Sequence, residues 1–204
     1  MSRILVLCAA ILALGACTIV NSNVTGSSAI PADLSPRTVF IQPGAETDPA
    51  DPRWPVFAGK LAGALAEKDF AFVTERSAAR LTARLGYRIG PGEKVTERVE
   101  VPEYGTIGFD RVTGKDGKTR RVPIRGLIGY RIEYRTRILY AREVTLEMTD
   151  TTTGKQVFTG RATSRDQCGD LAPVIGPMIA SILKDFPRAR NGLVVRADKQ
   201  VCAW

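Results

Sequence analysis

The stretch Ala79-Arg80-Leu81-Thr82-Ala83-Arg84-Leu85-Gly86-Tyr87-Arg88-Ile89 alternates along its whole length. Its odd positions are apolar and its even positions are Arg, Thr, Arg and Arg with Gly86 among them, so it reads as a strand with one face in a core and the other in water. Upstream, Thr38 to Gln42 is a short β-rich run closed by Pro43-Gly44, and Phe70 to Val73 is a second short strand. Between them Asp51-Pro52 opens a helical pattern in which Phe57, Leu61 and Leu65 recur every four residues, with Trp54 before them.

Downstream, Gly90-Pro91-Gly92 reads as a loop, Val95 to Val101 and Thr106 to Val112 as strands, and Thr113-Gly-Lys-Asp-Gly-Lys118 as a hairpin tip by its Asp-Gly pair. Tyr130, Ile132, Tyr134, Ile138, Tyr140, Val144, Leu146 and Met148 all fall on even positions, the pattern of one long strand or two paired ones. Asp150 to Lys155 turns the chain into a strand from Gln156 to Arg165, the turn being held by the Asp150 side chain. Leu171, Val174, Ile175, Met178, Ile179, Ile182, Leu183 and Phe186 predict a buried helix face, regular from about Pro177 and stopped by Pro187. Gly192 to Ala197 predicts a last strand. These elements add up to an α+β single domain, an antiparallel-rich sheet packed by two main helices.

The N-terminus reads as an address. After Met-Ser-Arg, Ile4 to Ala16 carries no charge, which matches the basic and apolar regions of a signal peptide. The run falls short of the about 20 residues that a membrane-spanning helix needs. Leu14-Gly15-Ala16-Cys17 resembles a bacterial lipobox, in which Cys17 is acylated, with palmitate among its chains, and becomes the first mature residue. Thr18, rather than Asp, after that cysteine implies sorting to the outer membrane, with the domain facing the periplasm. The resulting division is residues 1–16 signal peptide, 17–37 flexible tether and 38–204 domain. The Ser, Asn, Thr and Pro content of the tether gives it a reach of roughly 25 Å.

Four cysteines are present. Cys8 leaves with the signal and Cys17 takes lipid, so Cys168 and Cys202 remain as an even pair in a compartment that permits disulfides. A bond between them would stabilise by roughly 3 to 4 kcal/mol; two separate buried thiols are the alternative. The 204 residues contain no histidine, which removes the commonest general base and the commonest metal ligand.

The chain also resembles a family of bacterial envelope lipoproteins defined by domain of unknown function 4136. The likeness is carried by the lipobox at Cys17, the passage Leu65 to Val73, the alternating strand from Ala79, and a C-terminal block. That block comprises Val144 to Asp150, Thr153-Gly-Lys155, Val157-Phe158-Thr-Gly160-Arg-Ala162 and the helix ending Asp185-Phe186-Pro187, with Phe158 where the family often has Trp. The resemblance implies an α+β envelope domain and brings no established activity.

Motif fragments do not add up to a catalyst. Gly114-Lys115 and Gly117-Lys118-Thr119 lack the upstream Gly of a phosphate loop, Val95 stands where a dinucleotide fingerprint needs its third Gly, and Ser181-Ile-Leu-Lys184 has none of its companion motifs. The chain is therefore expected to be non-enzymatic, without metal or cofactor. Charge placement is more informative. Of the formal net charge of +8, a net of +7 lies between Asp110 and Arg142, where ten basic residues face Asp110, Asp116 and Glu133. Arg120, Arg121, Arg125, Arg131, Arg135 and Arg137 are the candidate anion-binding residues, the last three sharing strand parity, because guanidinium groups suit phosphate and carboxylate. The expected function is an outer-membrane-anchored envelope binding or scaffold module. Its partners are the membrane through acylated Cys17 and an anionic lipid, lipopolysaccharide or an acidic envelope protein, with nucleic acid excluded by the compartment. A solvated basic face without a ligand is the plain alternative for the Arg segment. An accessory subunit of an envelope transport or assembly complex, recognised through apolar surface or a free sheet edge, is the second function.

Overall fold

A computed structural model describes residues 18–198. Their elements are β1 (Thr18–Ser28), β2 (Thr38–Pro43), α1 (Trp54–Ala66), β3 (Ala71–Phe72), β4 (Leu81–Thr113), β5 (Thr119–Asp150), β6 (Gln156–Asp166), α2 (Ile175–Ile182) and β7 (Gly192–Asp198). The strands form one mixed sheet in the order β3-β2-β4-β5-β6-β1-β7. β2 runs parallel to β3 and β4, whereas β5, β6, β1 and β7 pair antiparallel. The chain divides into two compact units, one holding the residues up to Gly92 and from Tyr140, the other Glu93–Leu139.

In the first unit, alternation decides which side chains are buried. Leu81, Ala83, Leu85 and Tyr87 of β4, Val144, Leu146 and Met148 of β5, and Phe158 and Ala162 of β6 all lie in one core, while Arg84 and Arg88 stay outside. α1 contributes Phe57, Leu61 and Leu65, and α2 contributes Ile175, Met178, Ile179 and Ile182 to the same cluster. Each such side chain stabilises by about 1.5 to 3 kcal/mol relative to exposure. Aromatic edges join the pieces: Phe186 meets Phe70 and Phe158 at 5.4 and 5.2 Å, and Phe57 meets Tyr87 at 4.9 Å. The Tyr87 hydroxyl also donates to Asp51 Oδ2 at 3.0 Å, just before α1 begins. Burial, with the Asp51 carboxylate beside it, pushes that phenol up to about 12.

The α+β expectation does not hold. The protein is mostly β, with two short helices among its described residues rather than two main packing helices. All eight apolar positions expected on the last helix are buried, yet α2 covers only Ile175–Ile182 and the remainder is turn. The strands are longer than expected because β4 and β5 continue through Glu93–Leu139. Gly90-Pro91-Gly92, read as a loop, lies inside β4. Proline is tolerated where a strand's N–H faces a free edge.

A second correction concerns residues 18–28, expected to be part of a tether. They form β1, hydrogen-bonded to β6 on one side and β7 on the other. Val20 and Val24 point into the core and Ser22 is buried between them, while Asn21, Asn23 and Thr25 do not enter it. Only two valines carry the apolar half of the alternation, so the composition looks like that of a linker. Thr38 to Pro43 and Gly192 to Asp198 appear as strands, as expected. Cys168 is buried, with its Sγ 3.3 Å from the Asp170 carbonyl oxygen. Cys17 and Cys202, and with them the lipidation and the disulfide pairing, lie outside the described residues.

The turn after β5 is held as its sequence implies. Asp150 Oδ1 accepts the N–H groups of Thr152 and Thr153 at 2.8 and 3.0 Å and the Arg80 guanidinium at 2.5 Å, and Gly154 takes φ +66°. Burial opposes the Asp150 charge, but the Thr153 N–H, Arg80 and the Thr152 N–H overcome it and hold the carboxyl below the usual range. A group depressed in this way contributes stability above its unfolded value and loses it as pH falls through the folded value. Asp150→Ala should therefore cost about 1–3 kcal/mol at neutral pH. In urea titrations at a series of pH values, the gap between wild type and variant should shrink as pH drops below the ordinary aspartate range. At Gly26 a Cβ would stand 2.5 Å from the Thr159 carbonyl oxygen, a backbone atom that cannot swing aside. Gly26→Ala should destabilise by about 1–3 kcal/mol in the same titration.

Candidate anion-binding ribbon

Residues 93–139 form a unit of their own, the middle of the ladder between β4 and β5, closed by a turn. Gly114 N–H donates to the Lys118 carbonyl at 3.0 Å, Asp116 Oδ1 accepts the Lys118 N–H at 3.2 Å, and Gly117 takes φ +73°. The Asp-Gly pair therefore makes the hairpin tip that it predicts. Hydroxyl pairs cross the ladder at Thr113–Thr119 and Thr96–Thr136, both at 3.1 Å, and show the two strands running antiparallel from tip to root. No residue of this unit is buried.

The six candidate arginines fall into two groups with different surroundings. Near the root, Arg131 and Arg135 both reach Glu133, at 2.6 and 3.1 Å, and Arg137 lies 3.7 Å from Glu97 on the opposite strand. The Arg135 guanidinium, with Arg131 on the other side, holds the Glu133 carboxyl below its usual range. Cations and acids are equal in number over residues 93–104 and 129–139, so this half carries no net charge. Around the tip, residues 105–128 carry six cations against Asp110 and Asp116. Arg120 pairs with Asp116 at 3.0 Å, and Arg121 lies over the Phe109 ring at 4.7 Å, a cation–π contact. The side chains of Arg111, Lys115, Lys118 and Arg125 form no ion pair among the described residues. The expected stripe Arg131, Arg135, Arg137 is thus paired with acids, while Arg111, Lys115 and Lys118, not singled out from the sequence, belong with Arg120, Arg121 and Arg125.

Those cations share the tip with exposed apolar side chains. Phe109 is 56 % exposed and Val112, Val122 and Ile124 are nearly half exposed. Val112 and Val122 line a shallow depression of about 490 Å³ together with Lys115 and Arg120. Chemically this surface can attract phosphate or carboxylate and cover apolar groups at the same time.

The first unit offers a second concavity of about 690 Å³. Its polar lining includes Asn21, Asn23, Arg88, Glu143 and Thr163. Glu143 already accepts from Arg88 at 3.0 Å and from Arg161, and these two cations outweigh burial to hold its carboxyl low. Arg142, counted within the basic segment, is buried, and its Nε and Nη1 have no hydrogen-bond acceptor among the described residues. Asp166 lies 3.9 Å from it, and burial pushes the guanidinium down. Arg142 belongs to the wall of this concavity rather than to an exposed basic face.

No family model matches the sequence, and no curated protein matches it either. Among solved structures, the chain is similar to a point variant of the PelC dodecamer from Paraburkholderia phytofirmans, at 15 % identity and TM-score 0.43 over 83 % of this chain and 99 % of that one. A PelC dodecamer from the same organism without that substitution matches at 14 % identity and TM-score 0.45 over the same shares. A PDZ domain protein from Parabacteroides distasonis ATCC 8503 matches at 11 % identity and TM-score 0.47, over 88 % of this chain and 38 % of that one. With every TM-score below 0.5, these likenesses are remote and carry no functional argument.

Proposed function

We propose that the chain is an outer-membrane-anchored periplasmic lipoprotein of the type its N-terminus resembles, acylated at Cys17. It acts as a non-enzymatic envelope binding module whose ribbon tip takes an anionic partner. The observation that carries the binding role is the concentration of net positive charge in residues 105–128, in a unit without buried residues, next to a root where acids and cations balance. Arg111, Lys115, Lys118, Arg120, Arg121 and Arg125 supply the attraction, and Arg131, Arg135 and Arg137 are held by Glu133 and Glu97. The address rests on Ile4 to Ala16 and the lipobox at Cys17.

Two measurements test the reading. Cys17→Ala should move the protein from the membrane to the soluble fraction of fractionated cells, and continued sedimentation with outer membranes would remove the anchor from the proposal. For the tip, a cation beside an anionic surface contributes about 1 kcal/mol. Arg121→Glu with Arg125→Glu should therefore weaken binding of the detergent-solubilised full chain to immobilised lipopolysaccharide by roughly 30-fold or more. Arg131→Glu with Arg135→Glu, beside Glu133, should weaken it less; equal losses from the two pairs would refute a tip-centred site.

A further inference from the structure

The ribbon carries more than charge. Twelve of the sixteen large apolar side chains that the described residues expose lie in Glu93–Leu139. Along β5 they alternate with charged residues: Ile128, Tyr130, Ile132, Tyr134 and Ile138 are 49–74 % exposed, and Arg131, Glu133, Arg135 and Arg137 occupy the positions between. In a strand this spacing puts the first set on one face and the second on the other. The ion pairs of Glu133 with Arg131 and Arg135 confirm that the charged set shares a face. On β4, Ile107 joins the apolar face, since a Cβ at Gly126 would meet its side chain, and the ion pair Arg98–Glu100 shares its root end, since Thr96 meets Thr136 across the ladder. A two-stranded ribbon in water has marginal stability at best, and one with an exposed apolar face needs something to cover it.

The position at which β1 starts in the sheet bears on what that cover is. β1 runs antiparallel to β6 with Asn23 opposite Thr163, so its first residues lie toward Asp166. Asp166 stands opposite Tyr140 on β5, and Gly90 of β4 lies beside Ala141. The start of β1 and the two points at which the chain enters and leaves residues 93–139 therefore share one end of the sheet. Cys17 directly precedes β1. With β1 paired to β7 over Thr18–Val24 and to β6 over Asn23–Ser28, an acyl group on Cys17 would have no 20-residue tether, and it would place the bilayer at the sheet end from which both ribbon strands depart.

Building on the lipoprotein reading, we infer that the ribbon is a second membrane contact of this protein. The Ile128–Ile138 apolar face enters the acyl boundary of the same bilayer, and the tip cations take the phosphates of anionic lipids. Both halves fit one occupant. A soluble anion would use Arg121 and Arg125 but leave Phe109, Val112 and Ile132 in water, whereas an anionic lipid surface covers both kinds of group. The tyrosines suit the interface, where a ring is buried and a hydroxyl stays wet. The paired charges on the other face, and the Arg98–Glu100 pair at the root end of this one, remain at headgroup level, because an interfacial element sinks only about 5–10 Å. The ribbon does not span: its free strand edges would be left without hydrogen bonds in hydrocarbon, and only a closed barrel avoids this.

An environment-sensitive fluorescent amino acid placed singly at positions 128, 132, 131 and 135 tests the arrangement without disturbing a core, since all four sites are exposed. The acylated full chain is reconstituted into phosphatidylethanolamine vesicles containing phosphatidylglycerol, with and without brominated acyl chains. Quenching by the bromolipid should be several-fold stronger at 128 and 132 than at 131 and 135, and should fall when phosphatidylglycerol is omitted. Equal quenching at the four positions, or none at any, overturns the inference. A probe at position 116 that is quenched by iodide trapped inside the vesicle overturns it too, since the tip would then have crossed. Flotation in high salt reads the anchor separately. Co-flotation without quenching rejects the ribbon contact and upholds the lipoprotein, while quenching at 128 and 132 in a chain that proves to carry no acyl group upholds the contact and rejects the lipoprotein.

Discussion

One constraint organises the first unit: strands from distant parts of the sequence must present their alternate side chains to the same pair of helices. Val20 and Val24, Leu81 to Tyr87, Val144 to Met148 and Phe158 to Ala162 all obey it, and α1 and α2 close the face they make. A one-residue slip in any of these strands would exchange its core and solvent faces, so the register is strongly specified. The Asp150 turn fixes it between β5 and β6, and Gly26 lets β1 approach β6 at Thr159 more closely than a Cβ allows. Within residues 93–139 the β5 strand keeps the same alternation, but none of these residues is buried. The period that builds a core in one unit therefore builds an exposed amphipathic surface in the other.

This explains which parts of the fold were legible in the sequence. Ala79 to Ile89 and the even-numbered run from Tyr130 were readable because alternation persists over several residues. The first helix was readable because Phe57, Leu61 and Leu65 keep a helical spacing. β1 is not legible for a physical reason: two valines separated by serine and asparagine suffice for a strand that pairs with β7 over its first part and β6 over its last, although they look like a linker by composition. The last helix was overextended because burial and helicity are different properties. Leu171, outside α2, is buried as fully as Ile179 within it, and Phe186 nearly so.

Charge compensation in the ribbon is set across its strands as well as along them. A window along the chain counts only residues adjacent in sequence, but a ribbon brings residue pairs together across the ladder. Glu97 precedes the basic segment by more than a dozen positions, yet it stands beside Arg137, and Glu133 lies within reach of two arginines that share its face. The cations that keep their field are those around the turn, where the opposing strand brings Arg111 rather than another glutamate. Cross-strand pairing thus moves the candidate site from the middle of the basic segment to its tip. Arg142 shows the other limit of counting, because its side chain is buried in the wall of the first unit's concavity and adds nothing to the exposed charge of the ribbon.

Replacing the tether by a strand also changes the mechanical consequences of an acylated Cys17. A flexible linker would let the domain sample orientations within its reach, and no surface would be favoured for contact with lipid. A strand held by β7 over Thr18–Val24 and by β6 over Asn23–Ser28 removes that freedom, so an acyl group on the residue before it would set one sheet end against the membrane. The entropy of orienting the domain is then already lost when the anchor inserts. A weak second contact made from that end, of about 1 kcal/mol per cation, acts at high effective concentration rather than as an independent binding event. On the proposed reading, a ribbon with only a few uncompensated cations and a largely apolar face would therefore suffice, whereas on a freely tethered domain the same surface would be a marginal membrane binder.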